Sequence, residues 1–296
     1  MILLFLFSAN ISHADARLPD WVLFQQGMSF FSQRKYGDAF RLFRLATENN
    51  DHPEAEYWIG RIFENEGQHA LALRQFERAL SIEYRASSPD FHILVRQSIA
   101  DIYKHQQRYD LFERTLVNLI NDVKRATNTD MRYEQVLGDR ILDLGLDRLI
   151  FYFRYELDSL IRPYGELGTH YFKTARDRDA IENLTSAVTI IFSRLIEVKR
   201  EYNPRYEYRN TRTLILEAER NNRTREFLIE SGLYQYLFFL ALSLDSFGEL
   251  RHARPILETL AESSVRNNFT DISLRIKNNN FSVSYMDMVK RAFRAN

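Results

Sequence analysis

Gly27, Phe30, Ala39, Phe43 and Ala46 recur 33 residues later as Gly60, Phe63, Ala72, Phe76 and Ala79. Five residue types returning at one offset restrict the fold more than any other feature of the chain. A period of this length belongs to stacked helical hairpins, in which no unit buries its apolar face alone and each leans on the next. The small residues fall where two helices cross closely, and the aromatics fill the space beside them. The expectation is a scaffold that holds a partner.

Composition agrees with helices. Only 10 Gly and 6 Pro interrupt 296 residues, while Phe (22) and Tyr (16) supply core material. Lys plus Arg and Asp plus Glu both number 40, a balance that argues against a general nucleic-acid binder. Cysteine is absent, which removes disulfides, thiolate metal sites, cysteine nucleophiles and a lipid-bearing cysteine together. No run approaches the roughly 20 apolar residues of a spanning helix.

The echo resembles the tetratricopeptide repeat (TPR) family, whose unit of about 34 residues is a pair of helices, A and B. Its pattern is a large residue, Leu-Gly and an aromatic on helix A, then Ala, an aromatic and Ala on helix B. The first unit carries Leu23, Gly27, Phe30, Ala39, Phe43 and Ala46. The second carries Ile59, Gly60, Phe63, Ala72, Phe76 and Ala79. A third starts near Ile93 (Ile99, Ala100, Tyr103, Tyr109, Leu116), after a helix-breaking insertion at 85–90. Phe112 there replaces a small residue. A fourth, weaker match starts near Met131, with Leu137, Gly138, Ile141 and Gly145. A fifth, from about Ile161, carries Leu167, Gly168, Tyr171, Ala180, Leu184 and Ala187, and its second helix reaches about Arg200. A less regular helical segment follows over 211–230. The last unit, from about Tyr234, carries Leu240, Ala241, Leu244, Gly248, Ala253 and Leu257, with Pro255 near the first turn of its second helix. A helix at 282–295, with Tyr285, Met288, Val289 and Phe293, reads as a polar-faced cap. The resemblance implies an all-α, right-handed superhelix. Its expected parts are a leader at 1–16, N-terminal repeats at 17–120, divergent repeats at 121–230, and a hairpin with its cap at 231–296.

The leader is read from six apolar residues, Ile2 to Phe7, followed by Ala14-Asp15-Ala16 at a peptidase-like site. The run is short and no Lys or Arg precedes it, as expected if translation starts further upstream. The competing reading is an apolar N-terminus packed on the first repeat. Export would place the mature chain, from Asp15 or Arg17, in the periplasm or cell envelope.

No phosphate-binding glycine loop, His-Glu-x-x-His or Gly-x-Ser-x-Gly is present, and the seven histidines are scattered. No catalytic residue, cofactor or metal site is therefore expected. The resemblance places partner binding on the inner face of the A helices. There it selects Trp21, Phe24, Met28 and Phe31, then Tyr57 and Arg61, then Gln97 and Lys104. The aromatics suggest an anchor site for a protein segment, or else packing material for a terminal hairpin. A TPR subfamily grips a C-terminal carboxylate through Lys, Asn and Arg, but this chain has Phe24, Met28, Trp58, Leu94 and Ser98 at those places. Chaperone-tail binding is therefore not carried over.

Tyr202 to Arg212 interleaves tyrosines and arginines, a composition that can stack on single-stranded bases or simply form a solvated loop. The expected function is a non-catalytic adaptor of an envelope complex. The alternative is a periplasmic small-molecule or peptide binder with a cavity lined by Trp21, Phe24, Phe31 and Tyr57.

Overall fold

The computed structural model describes residues 18–49 and 51–295; the leader expected at 1–16 lies outside them. The described residues form fifteen α-helices in packed neighbouring pairs, with two short 3-10 turns and no strand. Packing divides the chain into two units, Met1–Gln106 and Gln107–Asn296. The division falls inside the stretch read as the third hairpin.

The first unit contains α1 (Asp20–Ser32), α2 (Tyr36–Asn49), α3 (Pro53–Asn65), α4 (His69–Ser81) and α5 (Phe91–His105). Each packs on the next. Leu23, Ala39, Phe43, Ala46, Ile59 and Ile62 form one buried cluster, and Tyr57, Ala72, Phe76, Ala79, Val95 and Ile102 form another. Pro53 opens α3 at the position where its missing amide costs nothing. His52 caps the same end, its Nδ1 accepting from the Ala55 amide at 3.3 Å. The insertion before α5 is tied back to α3. The Glu54 carboxylate accepts from the Ser87 amide at 2.7 Å and from its hydroxyl at 2.6 Å.

The second unit contains α6 (Tyr109–Ala126), α7 (Tyr133–Tyr152), α8 (Ile161–Lys173), α9 (Asp177–Tyr202), α10 (Thr211–Ala218), α11 (Asn222–Glu230), α12 (Leu233–Ser246), α13 (Leu250–Glu262), α14 (Asn268–Asn278) and α15 (Val283–Ala295). The α8–α9 and α12–α13 pairs are its densest contacts, and α12 lies on α8, α9 and α14 as well. No single described helix is long and apolar enough to cross a membrane. The α11–α12 pair reaches that length and composition together across a 52° bend, but α12 is buried among its neighbours.

One turn geometry recurs. A Cβ added to Gly27 would lie 2.6 Å from the Phe43 ring, one on Gly60 2.5 Å from Phe76, and one on Gly168 2.6 Å from Leu184. The separation is sixteen residues each time. Ala39, Ala46, Ala72, Ala79, Ala180 and Ala187, read as packing residues, are fully buried. Seven residues after each close-crossing glycine the backbone turns left-handed, at Arg34, Gly67 and Ala175. The same spacing leads from Ala100 to Gln107 and from Ala241 to Gly248, both left-handed. The amide that follows closes the helix end on a carbonyl five residues back: Lys35 on Phe30, Gln68 on Phe63, Arg176 on Tyr171 and Glu249 on Leu244. This is the Schellman closure, whose left-handed residue is usually glycine.

The fourth match falls in α7, two helical segments that meet at a kink at Gly145 (φ 72°, ψ 170°), where His252 of α13 lies 2.8 Å from the position a Cβ would take. Two expectations need correction. Pro255 is the sixth residue of α13, beyond the first turn, and leaves the Arg251 carbonyl without the amide an ordinary residue would supply. In α15 it is Met286, with Val289, that is buried, while Met288 is exposed. That helix returns to α8, and Phe293 meets Phe238 and Phe239 at 5.2 and 5.5 Å.

The shared turn yields a paired prediction. Ala175→Gly relieves a left-handed alanine and is expected to stabilise the protein by about 0.5–1 kcal/mol. Gly67→Ala, at φ 73° with open space around it, is expected to cost about 1 kcal/mol. Chemical denaturation measures both; changes of equal sign would remove the turn as the cause. At the crossing, Gly60→Ala is expected to cost about 1–3 kcal/mol by overpacking, whereas Gly37→Ala, which meets nothing within 4 Å, is expected to be neutral or mildly stabilising.

Candidate binding face

Helices α1, α3 and α5 of the first unit present the residues selected for partner binding. Trp21 is 61 % exposed. Phe24, Met28 and Phe31 are half-buried against the core of the first two hairpins. Phe24 stacks on His52 at 4.9 Å, and Phe31 meets the edge of Trp58 at 4.8 Å. These rings are thus partly core and partly surface. Trp58, which the register did not select, joins Phe31 to Tyr57 (5.4 Å) and continues the aromatic row from α1 onto α3.

Tyr57 does not belong to an open groove. It is 2 % exposed, packed between Phe76 and Phe91 at 5.5 and 6.1 Å. Its hydroxyl lies 3.2 Å from the Ser98 Oγ and accepts from Arg61 Nη1 at 3.1 Å. Helix α5 lies against that side of α3, which a period read along one helix cannot reveal. The aromatic cavity of the alternative reading loses Tyr57 for the same reason, since the ring is surrounded by core.

The remaining positions are charged. Arg61 Nε is 2.9 Å from the Glu64 carboxylate. Burial holds the Glu64 carboxyl above its ordinary value of 4.5; Arg61 pulls it down and Asp101 pushes it up. Glu64 thus sits among Arg61, Asp101, His105 and His69, contributed by α3, α4 and α5. Gln97 is half-buried and Lys104 exposed on α5. The face therefore runs from an apolar end on α1 to a mixed ionic end on α3 and α5. Such a surface can seat a segment that carries an apolar anchor beside charged residues.

Polar clusters of the second unit serve its packing. Lys124, fully buried, pairs with Glu134, which accepts from Tyr164, and the Tyr164 hydroxyl lies 2.9 Å from that of Tyr155. Glu219 accepts from Tyr234, Ser263 and Ser264 and so fixes the start of the α13–α14 connection to the end of α10. A cleft of about 400 Å³ lies between the Gly145 break, the start of α10 and α13. Its Asp147 is occupied by the Thr211 amide and hydroxyl at 2.8 and 2.6 Å. Among the described residues, no three His, Cys, Asp or Glu side chains are placed to hold a metal ion.

No protein-family profile matches the chain. Over 214 residues it is 22 % identical to an uncharacterized protein of Treponema pallidum (strain Nichols), a match covering 71 % of this chain and 57 % of that protein. The chain thus spans somewhat over half the length of the relative it matches, and the likeness brings no activity with it.

The elevated Glu64 carboxyl sets a pH dependence. Its proton is bound more tightly in the folded state than in the unfolded one. Its contribution to stability is therefore fullest below pH 4.5 and is lost as pH rises through the folded value. Glu64→Gln removes this contribution. The stability of the natural protein minus that of the variant is expected to grow as pH falls from 7 toward 4.5. A difference that stays flat, measured by urea unfolding at several pH values, would exclude the burial of this carboxyl.

Proposed function

We propose that the chain is a non-catalytic, TPR-like scaffold that holds a protein segment on the α1–α3–α5 face and so supports a complex of the cell envelope. In this reading the hairpins form a right-handed superhelix, and the apolar run near the start directs export. The observation that carries it is the exposed Trp21 on the same helix as Phe31, which meets Trp58 of α3, together with Arg61 and Glu64 of α3 and the exposed Lys104 of α5. A partly exposed aromatic row beside paired charges is the composition of a recognition surface, with anchors at one end and specificity at the other. The adaptor reading is favoured over a small-ligand cavity at this face because Phe24, Phe31 and Tyr57 are engaged with core rings.

The test is photo-crosslinking in native cells from position 21 or 104, with Glu77, exposed on α4, as the outward control. Both inner positions are expected to capture the same protein and the control to miss it. Trp21→Ala with Lys104→Glu is expected to reduce co-purification at least tenfold, about 1.4 kcal/mol of binding, with the melting temperature unchanged. Equal capture from Glu77, or none from either inner position, would overturn the proposal.

A further inference from the structure

Beyond the end of α9 the chain does not simply cross to α10. Tyr206 closes a turn at Pro204 by donating its amide to the Asn203 carbonyl at 2.8 Å. Tyr208 is buried, and its hydroxyl donates to the Asp147 carbonyl at 3.3 Å. Thr211 is held by the Asp147 carboxylate. Anchored at these points, residues 203–210 wall a cup of about 570 Å³ against the last turn of α9 and the first turns of α10. The volume suits a ligand of one or two rings.

The lining has a definite chemistry. Tyr202, which is 74 % exposed, and Tyr206 supply aromatic surface. Lys199, Arg205 and Arg209 supply positive charge, against the carboxylates of Glu207 and Glu217. Lys199 is 3.6 Å from Glu217, so those two largely offset each other. Lys199 and Arg200 also lie in the last turn of α9, where cations are stabilised by the helix end. Arg205 and Arg209 have neither function: among the described residues no carboxylate pairs with either guanidinium. Other arginines of the second unit are paired, among them Arg176 with Glu113, Arg178 with Glu182, Arg194 with Glu197 and Arg254 with Glu258. Unpaired guanidinium forks beside tyrosine rings at one preformed cup match an anionic group attached to a ring.

We propose that this cup binds a small anionic ring compound, its acidic group held by Arg205 and Arg209 and its ring laid on Tyr202 and Tyr206. The anion can be a phosphate on a nucleoside or a carboxylate on a sugar; the two share this chemistry. Asn203, Thr213 and Glu207 offer donors and acceptors to the hydroxyls that either would carry. The site lies in the second unit and does not draw on the binding face of the first, so either proposal can fail alone.

The test is calorimetric titration of the full chain with adenosine monophosphate and with glucuronic acid, each against its neutral counterpart, adenosine and glucose. At least one anion is expected to bind with Kd below about 1 mM and at least tenfold more tightly than its neutral partner. Preference for the nucleotide or the acidic sugar identifies the source. Arg205→Gln with Arg209→Gln, both at exposed positions, is expected to weaken binding at least tenfold without shifting the melting temperature. Tyr202→Ala, also exposed, is expected to weaken the anion and its neutral counterpart by the same factor. Absence of saturable binding by either anion, equal affinity for charged and neutral members, or binding indifferent to the arginine pair would overturn the proposal.

Discussion

The hairpins of this protein depend on how near two helix backbones can come. At Gly27, Gly60 and Gly168 the hydrogen in place of a side chain lets Phe43, Phe76 and Leu184 press against the opposing helix. Close approach increases dispersion contact along the whole crossing and admits no intervening water. The aromatic three residues further on then lends its carbonyl to the closing turn, as at Phe30, Phe63 and Tyr171. One short spacing thus sets the crossing, the end of the first helix and the direction of the second. The proposed binding face follows from it, because the residues exposed on α1 and α3 are those that lie away from the crossing.

Local spacing explains what the sequence made legible. A 33-residue echo is a statement about neighbours in the chain, and the hairpins it marks are local contacts. The all-α architecture, the buried alanines and the extent of α9 were readable for that reason. What faces Gly145 at the break in α7 was not, since His252 lies more than a hundred residues away in the chain. Nor was the burial of Tyr57, which depends on α5 lying against α3 across an insertion whose path the period does not describe. Met286 in place of Met288 is the same failure on a small scale: an amphipathic stripe one position wide can be drawn two ways until its docking partner is known.

The two candidate sites differ in how they emerge. The face of α1, α3 and α5 was found by register, and the structure redistributed its members between core and surface. Trp58 was passed over because it stands at a carboxylate-clamp position without a clamp residue, yet it is the ring through which α1 and α3 share an aromatic row. The Tyr202–Arg209 stretch was visible only as a composition. What composition could not supply is the anchoring of Tyr208 and Thr211 to Asp147, which turns a solvated loop into a walled cup.

The glycine crossings bear on how such a chain can change over generations. Five of them each set a position against one other residue, by backbone as well as side chain at 168 and 138: 27 against 43, 60 against 76, 168 against 184, and across a longer interval 138 against 182 and 145 against 252. A larger residue at the first member is tolerable only when the second gives way. Drift at these sites would therefore proceed by coupled exchanges, within one hairpin for the first three pairs and between distant helices for the last two. Descendants of this sequence could replace most of their exposed residues while these five couplings continued to record the original packing.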